Sequence, residues 1–145
     1  MLCGLISAAP MEPKVSFHIE SGKWRGDSTH LVVHVGLPEG WHIQSSVPLD
    51  SFLVPTTLQM EGKDLVFGNP VFPKPVLEDF PALGGPVALY HGDFEIRVPV
   101  KRGSKKTGID ALKTAKVILH YQACNKTQCL PPREVVVRFD SLYRK

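Results

Sequence analysis

Prolines and glycines interrupt this chain at short intervals, so long helices are excluded from most of it. The 145 residues include 13 prolines and 12 glycines. Proline removes a backbone donor and clashes with the preceding helical turn, while glycine supplies the backbone freedom that tight turns need. Only Ile109 to Lys116 is expected to hold a helical turn or two.

Between these turns, apolar and polar residues alternate with the period of a half-buried β-strand. In the clearest case Leu31, Val33, Val35 and Leu37 share one face. The same pattern occurs in six more segments: Val15–Ile19, Thr57–Glu61, Leu65–Phe67, Phe94–Val100, Val117–Tyr121 and Val135–Phe139. Seven or more short strands with this punctuation predict an all-β fold, an antiparallel β-sandwich.

Residues 1–12 differ from the rest of the chain and are predicted to be a leader or signal remnant without fixed structure. Met1 to Ala9 are apolar and end in small residues before Pro10, but they lack the basic start of a complete secretory signal. Residues 13–145 are predicted to form a single domain around one core. No apolar run approaches the roughly 20 residues that span a bilayer.

The charge distribution gives no reason to expect a nucleic-acid partner. The net charge is only +3, and most Lys and Arg residues are dispersed. One basic cluster lies among glycines and is expected to be a solvated loop: Lys101, Arg102, Lys105 and Lys106.

The chain has three cysteines, of which Cys3 lies in the predicted leader. The remaining two, Cys124 and Cys129, form one close pair between the strand patterns Ala115–Tyr121 and Arg133–Phe139. If those strands pair as an antiparallel hairpin, the cysteines face each other across its mouth. Opposite Cα atoms then lie about 4.5–5.5 Å apart, a separation that a disulfide spans.

The small stabilisation expected from this disulfide favours a redox-active role over a structural one. Closing a loop of about six residues removes unfolded-state entropy worth only on the order of 2 kcal/mol. A bridge selected for stability would gain more by joining distant strands. Neighbouring Lys126, His120 and Arg133 are candidates to favour a thiolate.

Two other interpretations of the pair remain open at this point. A purely structural bridge gives the same cysteine count. A metal site would combine the two thiols with His120 or His91, but the C-x4-C spacing is not a usual zinc spacing. The other histidines occur singly and are expected to be partly buried surface residues: His18, His30, His34 and His42.

The stretch from Asn69 to Gly85 does not have a strand pattern. It carries four prolines and two closing glycines, yet it keeps six large apolar side chains. A long loop with this much apolar surface usually folds back over another part of the protein. We expect it either to cover a site or to plug the end of the sandwich.

Three stretches together carry a resemblance to a known family. The most specific is the cysteine hairpin, Tyr121–Cys124 followed by Cys129–Pro132. Two other parts of the chain support it: Gly40–Ser45 together with Phe52–Thr56, and Tyr90–Val100. They resemble the N-terminal periplasmic domain family of DsbD, the bacterial thiol:disulfide interchange protein, also called the disulfide bond corrector domain.

The resemblance implies an immunoglobulin-like β-sandwich with a redox hairpin and a cap loop at one end. It implies a periplasmic component of a thiol:disulfide oxidoreductase system, connected with cytochrome c biogenesis and needing no cofactor. Such a domain takes electrons from a thioredoxin-like donor and passes them to oxidised client proteins or a disulfide isomerase. The similarity covers most of Val15 to Phe139.

The resemblance also implies roles for individual residues. Cys129 matches the cysteine that forms mixed disulfides with partners, and Cys124 matches the resolving thiol. Glu78-Asp79-Phe80 is the nearest match to the family's cap loop, with Phe80 as the aromatic cap. Tyr121 and Gln122 are expected to support the cysteine pair.

This sequence departs from the best-known family members in three respects. Those members have one more residue between the cysteines, and their cap carries a Phe-Tyr pair where Pro81 follows Phe80 here. The membrane segments and the C-terminal thioredoxin-like domain of DsbD have no counterpart in this sequence. The domain is therefore expected to act with separately encoded partners or as part of a longer membrane reductase.

A second hypothesis belongs to a different class of function. In it, the chain is a secreted immunoglobulin-like binding module whose disulfide is a structural clip. This hypothesis predicts a buried disulfide with a strongly reducing potential, so measurement of the reduction potential separates the two hypotheses.

Overall fold

The computed structural model of the protein describes residues 11–139. The predicted leader up to residue 10, together with Cys3, lies outside the described residues. Met11, which the sequence analysis assigned to the leader, is buried in the core at 7% exposure. Its carbonyl accepts a hydrogen bond from the Tyr121 hydroxyl at 3.5 Å.

Short strands are the main regular structure of the described chain, as the alternation predicted. The strands are β1 (Lys14–Ile19), β2 (Ser28–Gly36), β3 (His42–Gln44), β4 (Thr57–Glu61), β5 (Leu65–Phe67), β6 (Val76–Phe80), β7 (Gly85–His91), β8 (Asp93–Arg102), β9 (Lys116–Tyr121), β10 (Ala123–Cys124) and β11 (Arg133–Arg138). Helical structure within residues 11–139 is confined to the 3-10 turns Glu20–Gly22, Pro81–Leu83 and Ile109–Thr114. No helix in this range is long and apolar enough to cross a membrane.

The strands form three antiparallel sheets within residues 11–139. The first has the order β1-β2-β8-β5, the second β10-β3-β7-β6, and the third β11-β9-β4. Strands β9 and β10 are neighbours in sequence but belong to different sheets, with only Gln122 between them. The chain therefore changes sheets immediately before the first cysteine of the pair.

Apolar faces of all three sheets meet in one core. Val33 and Ile96 from the first sheet, Ile43 from the second and Leu119 from the third are all 0% exposed and belong to the same cluster. Period-2 alternation places such residues on one face of each strand. The all-β antiparallel sandwich predicted from the sequence is confirmed.

The stretch from Asn69 to Gly85 differs from the loop expected there. Its residues Val76–Phe80 form strand β6, which pairs with β7 from Val76 opposite Leu89 to Phe80 opposite Gly85. The prolines that argued against a strand lie outside it, with Pro75 immediately before and Pro81 immediately after. Because β6 is an edge strand, its outer backbone groups need no partner strand.

We predict that truncating a core side chain in β9 destabilises the domain far more than truncating a surface one in β11. Leu119 is fully buried, so Leu119→Ala should lower the free energy of unfolding by ~2–5 kcal/mol. Val136 is 50% exposed, and Val136→Ala should change it by less than about 0.5 kcal/mol. Urea denaturation of the oxidised proteins measures both, and equal losses would contradict this assignment of the core.

Candidate functional site

The two cysteines face each other at the end of a hairpin, as the strand patterns predicted. β9 and β11 pair antiparallel, and Tyr121 lies opposite Arg133 where the ladder ends. Beyond it, Cys124 and Cys129 form a disulfide with 2.05 Å between the sulfurs and 4.0 Å between the Cα atoms. The Asn125 carboxamide oxygen accepts hydrogen bonds from the backbone N–H groups of residues 127 and 128, each at 3.0 Å, and so orders the tip.

The two sulfur-bearing residues differ sharply in burial. Cys124 is 0% exposed, whereas Cys129 is half-buried. Thiol–disulfide exchange requires a nucleophile to reach one sulfur, so access selects which one is attacked. Of the two residues, Cys129 is the less buried.

Strand β3 lies beside the buried cysteine. Cys124 lies opposite His42 across the β10–β3 pair, and His42 in turn lies opposite His91 across β3–β7. Directly opposed residues share a face of the sheet. Cys124, His42 and His91 therefore form one row across the second sheet.

His42 is a buried titratable group beside the disulfide. Its ring is stacked on Phe80, with 4.9 Å between ring centres and 11° between planes. Burial lowers the pKa of His42 below its ordinary value of 6.5, an effect that the Glu78 carboxylate opposes and that His91 reinforces. Its Nε2 atom has no hydrogen-bond partner among the residues the structure describes.

Gln44 contacts the buried sulfur directly. The residue is 0% exposed, and its side-chain amide N–H group donates a hydrogen bond to Cys124 Sγ at 3.3 Å. The Gln44 backbone is held on two sides, because its N–H group donates to the Gln122 carbonyl and its carbonyl accepts from the Thr56 hydroxyl. The amide is thus fixed against the sulfur by the strand that carries it.

A groove of about 410 Å³ opens next to this row of residues. Trp41, His42 and Phe80 contribute its aromatic wall, while Glu78 and Lys126 contribute charged side chains. Lys126 belongs to the cysteine hairpin and Phe80 to the edge strand β6. The groove therefore joins the disulfide region to the predicted cap.

The three predicted cap residues occupy different environments. Phe80, at the end of β6, is 9% exposed and lies on His42 rather than in a free loop. The Glu78 carboxylate lies 4.0 Å from His91 Nε2 and lines the groove. Asp79 is exposed and pairs with Pro86 on β7. Phe80 therefore contacts the row at His42, directly opposite Cys124, whereas Glu78 contacts it at His91.

The two predicted supporting residues act at different distances from the sulfurs. Tyr121 is a core residue, 1% exposed, and burial raises the pKa of its hydroxyl above the ordinary value. Gln122 lies closer. Its side-chain oxygen accepts from the Val54 N–H at 3.0 Å, and its amide donates to the Leu130 carbonyl at 3.4 Å, one residue after Cys129.

Of the basic residues near the hairpin, His120 pairs with an acidic residue and the other two are exposed. His120 Nδ1 lies 3.3 Å from a Glu134 carboxylate oxygen on β11, and Arg133 and Lys126 are exposed. Within residues 11–139 no three His, Cys, Asp or Glu side chains lie close enough together to hold a metal ion.

Sequence reasoning missed two residues of β3 beside Cys124: His42, which lies opposite it, and Gln44, which donates to its sulfur. His42 was expected at the surface and is 4% exposed, while Gln44 was given no role. The only local signal is that polar residues alternate with Ile43 in a short segment after the Gly40 turn. Which strand lies beside Cys124 depends on a contact across 80 residues of sequence, which no local pattern contains.

The fold and the site together define a class of protein: an immunoglobulin-like β domain with a disulfide-bearing hairpin in which one cysteine is buried and the other half-buried. The family model described as "Thiol:disulfide interchange protein DsbD, N-terminal" matches residues 7–141. The chain belongs to this family, as the cysteine hairpin indicated.

Solved structures agree in fold at low sequence identity. The N-terminal periplasmic domain of ScsB from Proteus mirabilis superposes with a TM-score of 0.54 at 12% identity, covering 94% of this chain and 49% of that one. The reduced N-terminal domain of Neisseria meningitidis DsbD superposes with a TM-score of 0.50 at 17% identity, covering 90% and 85%. The chain thus spans about half of the ScsB structure. No curated protein sequence matches it significantly.

We predict that protonation of His42 destabilises the folded domain as the pH falls. Its pKa in the folded state lies below that of an unfolded histidine, about 6.5. Between these values the unfolded chain binds more protons, so the free energy of unfolding decreases with decreasing pH. His42→Phe keeps an aromatic ring against Phe80 and should flatten this part of the profile. Urea denaturation of the oxidised domain between about pH 5 and pH 8 measures it.

His120→Gln is the matched control for this experiment. His120 lies on β9 in the third sheet, whereas His42 belongs to the second, and the His120 side chain is 37% exposed. We expect this variant to keep the steep acid limb of the parent protein. A His42→Phe profile as steep as the parent's would show that His42 is not the responsible group.

Proposed function

We propose that this domain transfers electrons by thiol–disulfide exchange through Cys124 and Cys129, between a thioredoxin-like donor and oxidised extracytoplasmic proteins or a disulfide isomerase. Membership of the DsbD N-terminal family supports the class of reaction. The observation that carries the proposal is the unequal burial of the pair, with Cys124 at 0% exposure and Cys129 half-buried. A structural clip does not require that one of its cysteines be less buried than the other.

The first half of the reaction reduces the domain. A donor thiolate attacks the Cys129 sulfur, a new donor–Cys129 disulfide forms, and the Cys124–Cys129 bond breaks with its electron pair on Cys124. The donor's second thiolate then attacks the donor sulfur of this mixed disulfide. The donor leaves oxidised, and the domain is left with both cysteines reduced.

The second half passes the two electrons on. The Cys129 thiolate attacks a client disulfide and joins the client covalently, releasing the client's other sulfur as a thiolate. The Cys124 thiolate then attacks Cys129, which restores the internal disulfide and frees the second client sulfur. Two protons taken from water leave the client as a dithiol.

Phe80 and its acidic neighbours are proposed to shield the pair between encounters. The supporting observation is the stack of Phe80 on His42, which lies opposite Cys124. Gln122 is proposed to position Cys129 through its bond to the Leu130 carbonyl, and Tyr121 to anchor the hairpin in the core. The groove lined by Phe80, Glu78 and Lys126 is the proposed binding site for the donor or client.

The proposed location is the periplasm, where an oxidising environment gives disulfide exchange its substrates. The neighbouring ScsB structure is described as a periplasmic domain. We propose that the domain works with membrane-embedded parts of a DsbD-type reductase, and that cytochrome c maturation is among the processes its electrons serve.

We predict a reduction potential for the Cys124–Cys129 pair within the range of working oxidoreductases, roughly −120 to −270 mV. Equilibration of a Cys3→Ser protein against glutathione or dithiothreitol buffers measures it, because that substitution removes the third thiol. A potential well below about −300 mV would identify a structural bridge and favour the secreted binding module instead.

We predict that the two cysteines differ in their capture by a partner. In a Cys3→Ser background, Cys124→Ser leaves only the half-buried thiol and Cys129→Ser leaves only the buried one. A thioredoxin with one active cysteine, activated as a mixed disulfide with a chromogenic thiol, should join Cys124→Ser on the order of tenfold faster or more. The rate of chromophore release measures this difference.

The same two variants unfolded in urea provide the control, because burial then no longer separates the thiols. Their rates should become nearly equal. A folded Cys129→Ser protein that reacts as fast as Cys124→Ser would reverse or remove the proposed roles.

A further inference from the structure

Exchange at Cys129 places a negative charge on a sulfur that water does not reach. When the disulfide opens, the bonding electron pair goes to Cys124, whose side chain is 0% exposed. A charge buried without a compensating donor is costly and would slow the step that creates it. The departing sulfur therefore needs a hydrogen-bond donor inside the protein.

Gln44 supplies a donor at that position. Its amide N–H group lies 3.3 Å from Cys124 Sγ, and this is the one side-chain hydrogen bond to that sulfur among residues 11–139. The contact already exists in the oxidised domain, so the donor is in place before the charge develops. Donors fixed in advance stabilise developing charge without reorganisation during the reaction.

We propose that Gln44 is a catalytic residue of this domain, which stabilises the Cys124 thiolate as the leaving group when a partner attacks Cys129. The inference rests on the proposed exchange function and extends it. A better-stabilised leaving thiolate departs faster, and the same contact favours the thiolate form of Cys124 in the reduced domain.

The ionisable groups around Cys124 leave this role to the amide. His42, directly opposite on β3, is buried and its pKa is lowered, which favours the neutral imidazole near pH 7. His91 on β7 and Glu78 on β6 interact with each other at 4.0 Å, and both are about half exposed. Lys126 on the hairpin is exposed to water. The donor in contact with the sulfur is the neutral Gln44 amide.

The test compares the Cys124 thiol in the presence and absence of the amide. Gln44→Met has a similar shape but no N–H group, and it is placed in a Cys3→Ser/Cys129→Ser protein in which Cys124 is the only thiol. Because hydrogen bonds to charged groups are strong, the acid dissociation constant of Cys124 should fall about tenfold, a rise of about one pKa unit. Thiolate ultraviolet absorbance as a function of pH measures it.

A second readout concerns the reaction itself. In a Cys3→Ser protein that keeps the disulfide, Gln44→Met should slow reduction by dithiothreitol on the order of threefold, because Cys124 becomes a poorer leaving group. The matched control is Gln59→Met, the same substitution at an exposed position on β4, which should change neither value. An unchanged or lowered Cys124 pKa in folded Gln44→Met would overturn the proposal. A lowered pKa is the result expected if the amide oxygen, rather than the N–H group, faced the sulfur.

A measurement without substitution at Gln44 keeps the test decisive if Gln44→Met does not fold. In the reduced Cys3→Ser/Cys129→Ser protein, the side-chain amide proton resonances of Gln44 should shift with the titration of Cys124. Resonances that do not respond would overturn the inference.

These measurements on the Cys124 thiol need no partner protein, so they test Gln44 separately from the exchange function. A potential below about −300 mV would thus reject the exchange function, whereas an unresponsive Gln44 in an exchange-competent domain would reject only this inference.

Discussion

The pairing of two residues, Ala123 and Cys124, with strand β3 decides how this domain presents its disulfide. β9 ends in one sheet at Tyr121, and after Gln122 the chain continues in another sheet as β10. This step places Cys124 beside β3 in the second sheet, while Cys129, after the turn that follows, is only half-buried. If the hairpin remained in one sheet, its strand pairing would not make the burial of the two cysteines unequal.

The surroundings of the buried sulfur combine aromatic packing with two polar side chains. His42 lies between Phe80 and the cysteine strand, and Gln44 lies against the sulfur itself. Each also retains a buried polar atom without a partner among the described residues, His42 Nε2 and Gln44 Oε1. Such atoms cost about 1–3 kcal/mol each, and stable cores generally exclude them.

Local patterns predicted most of the fold and the centre of the site. β4 and β5 have the bounds that the alternation indicated, and the cysteines face each other because β9 and β11 pair as their patterns required. Strand β6 was not predicted because its five residues do not alternate, and only pairing with β7 makes them a strand. Gln44 could not be recognised for a similar reason. Its role depends on a neighbour 80 residues away, and its own segment contains only three strand residues.

Strand β6 forms one edge of its sheet, and its backbone on that side is open to another chain. Val76 and Leu77 are 40% and 66% exposed there, a combination that invites strand addition and aggregation. Glu78 and Asp79 follow directly in the same strand. Two copies of the domain that joined along this edge in antiparallel fashion would bring like carboxylates together, which is unfavourable. The acidic pair thus disfavours pairing of this apolar edge with the same edge of a second copy.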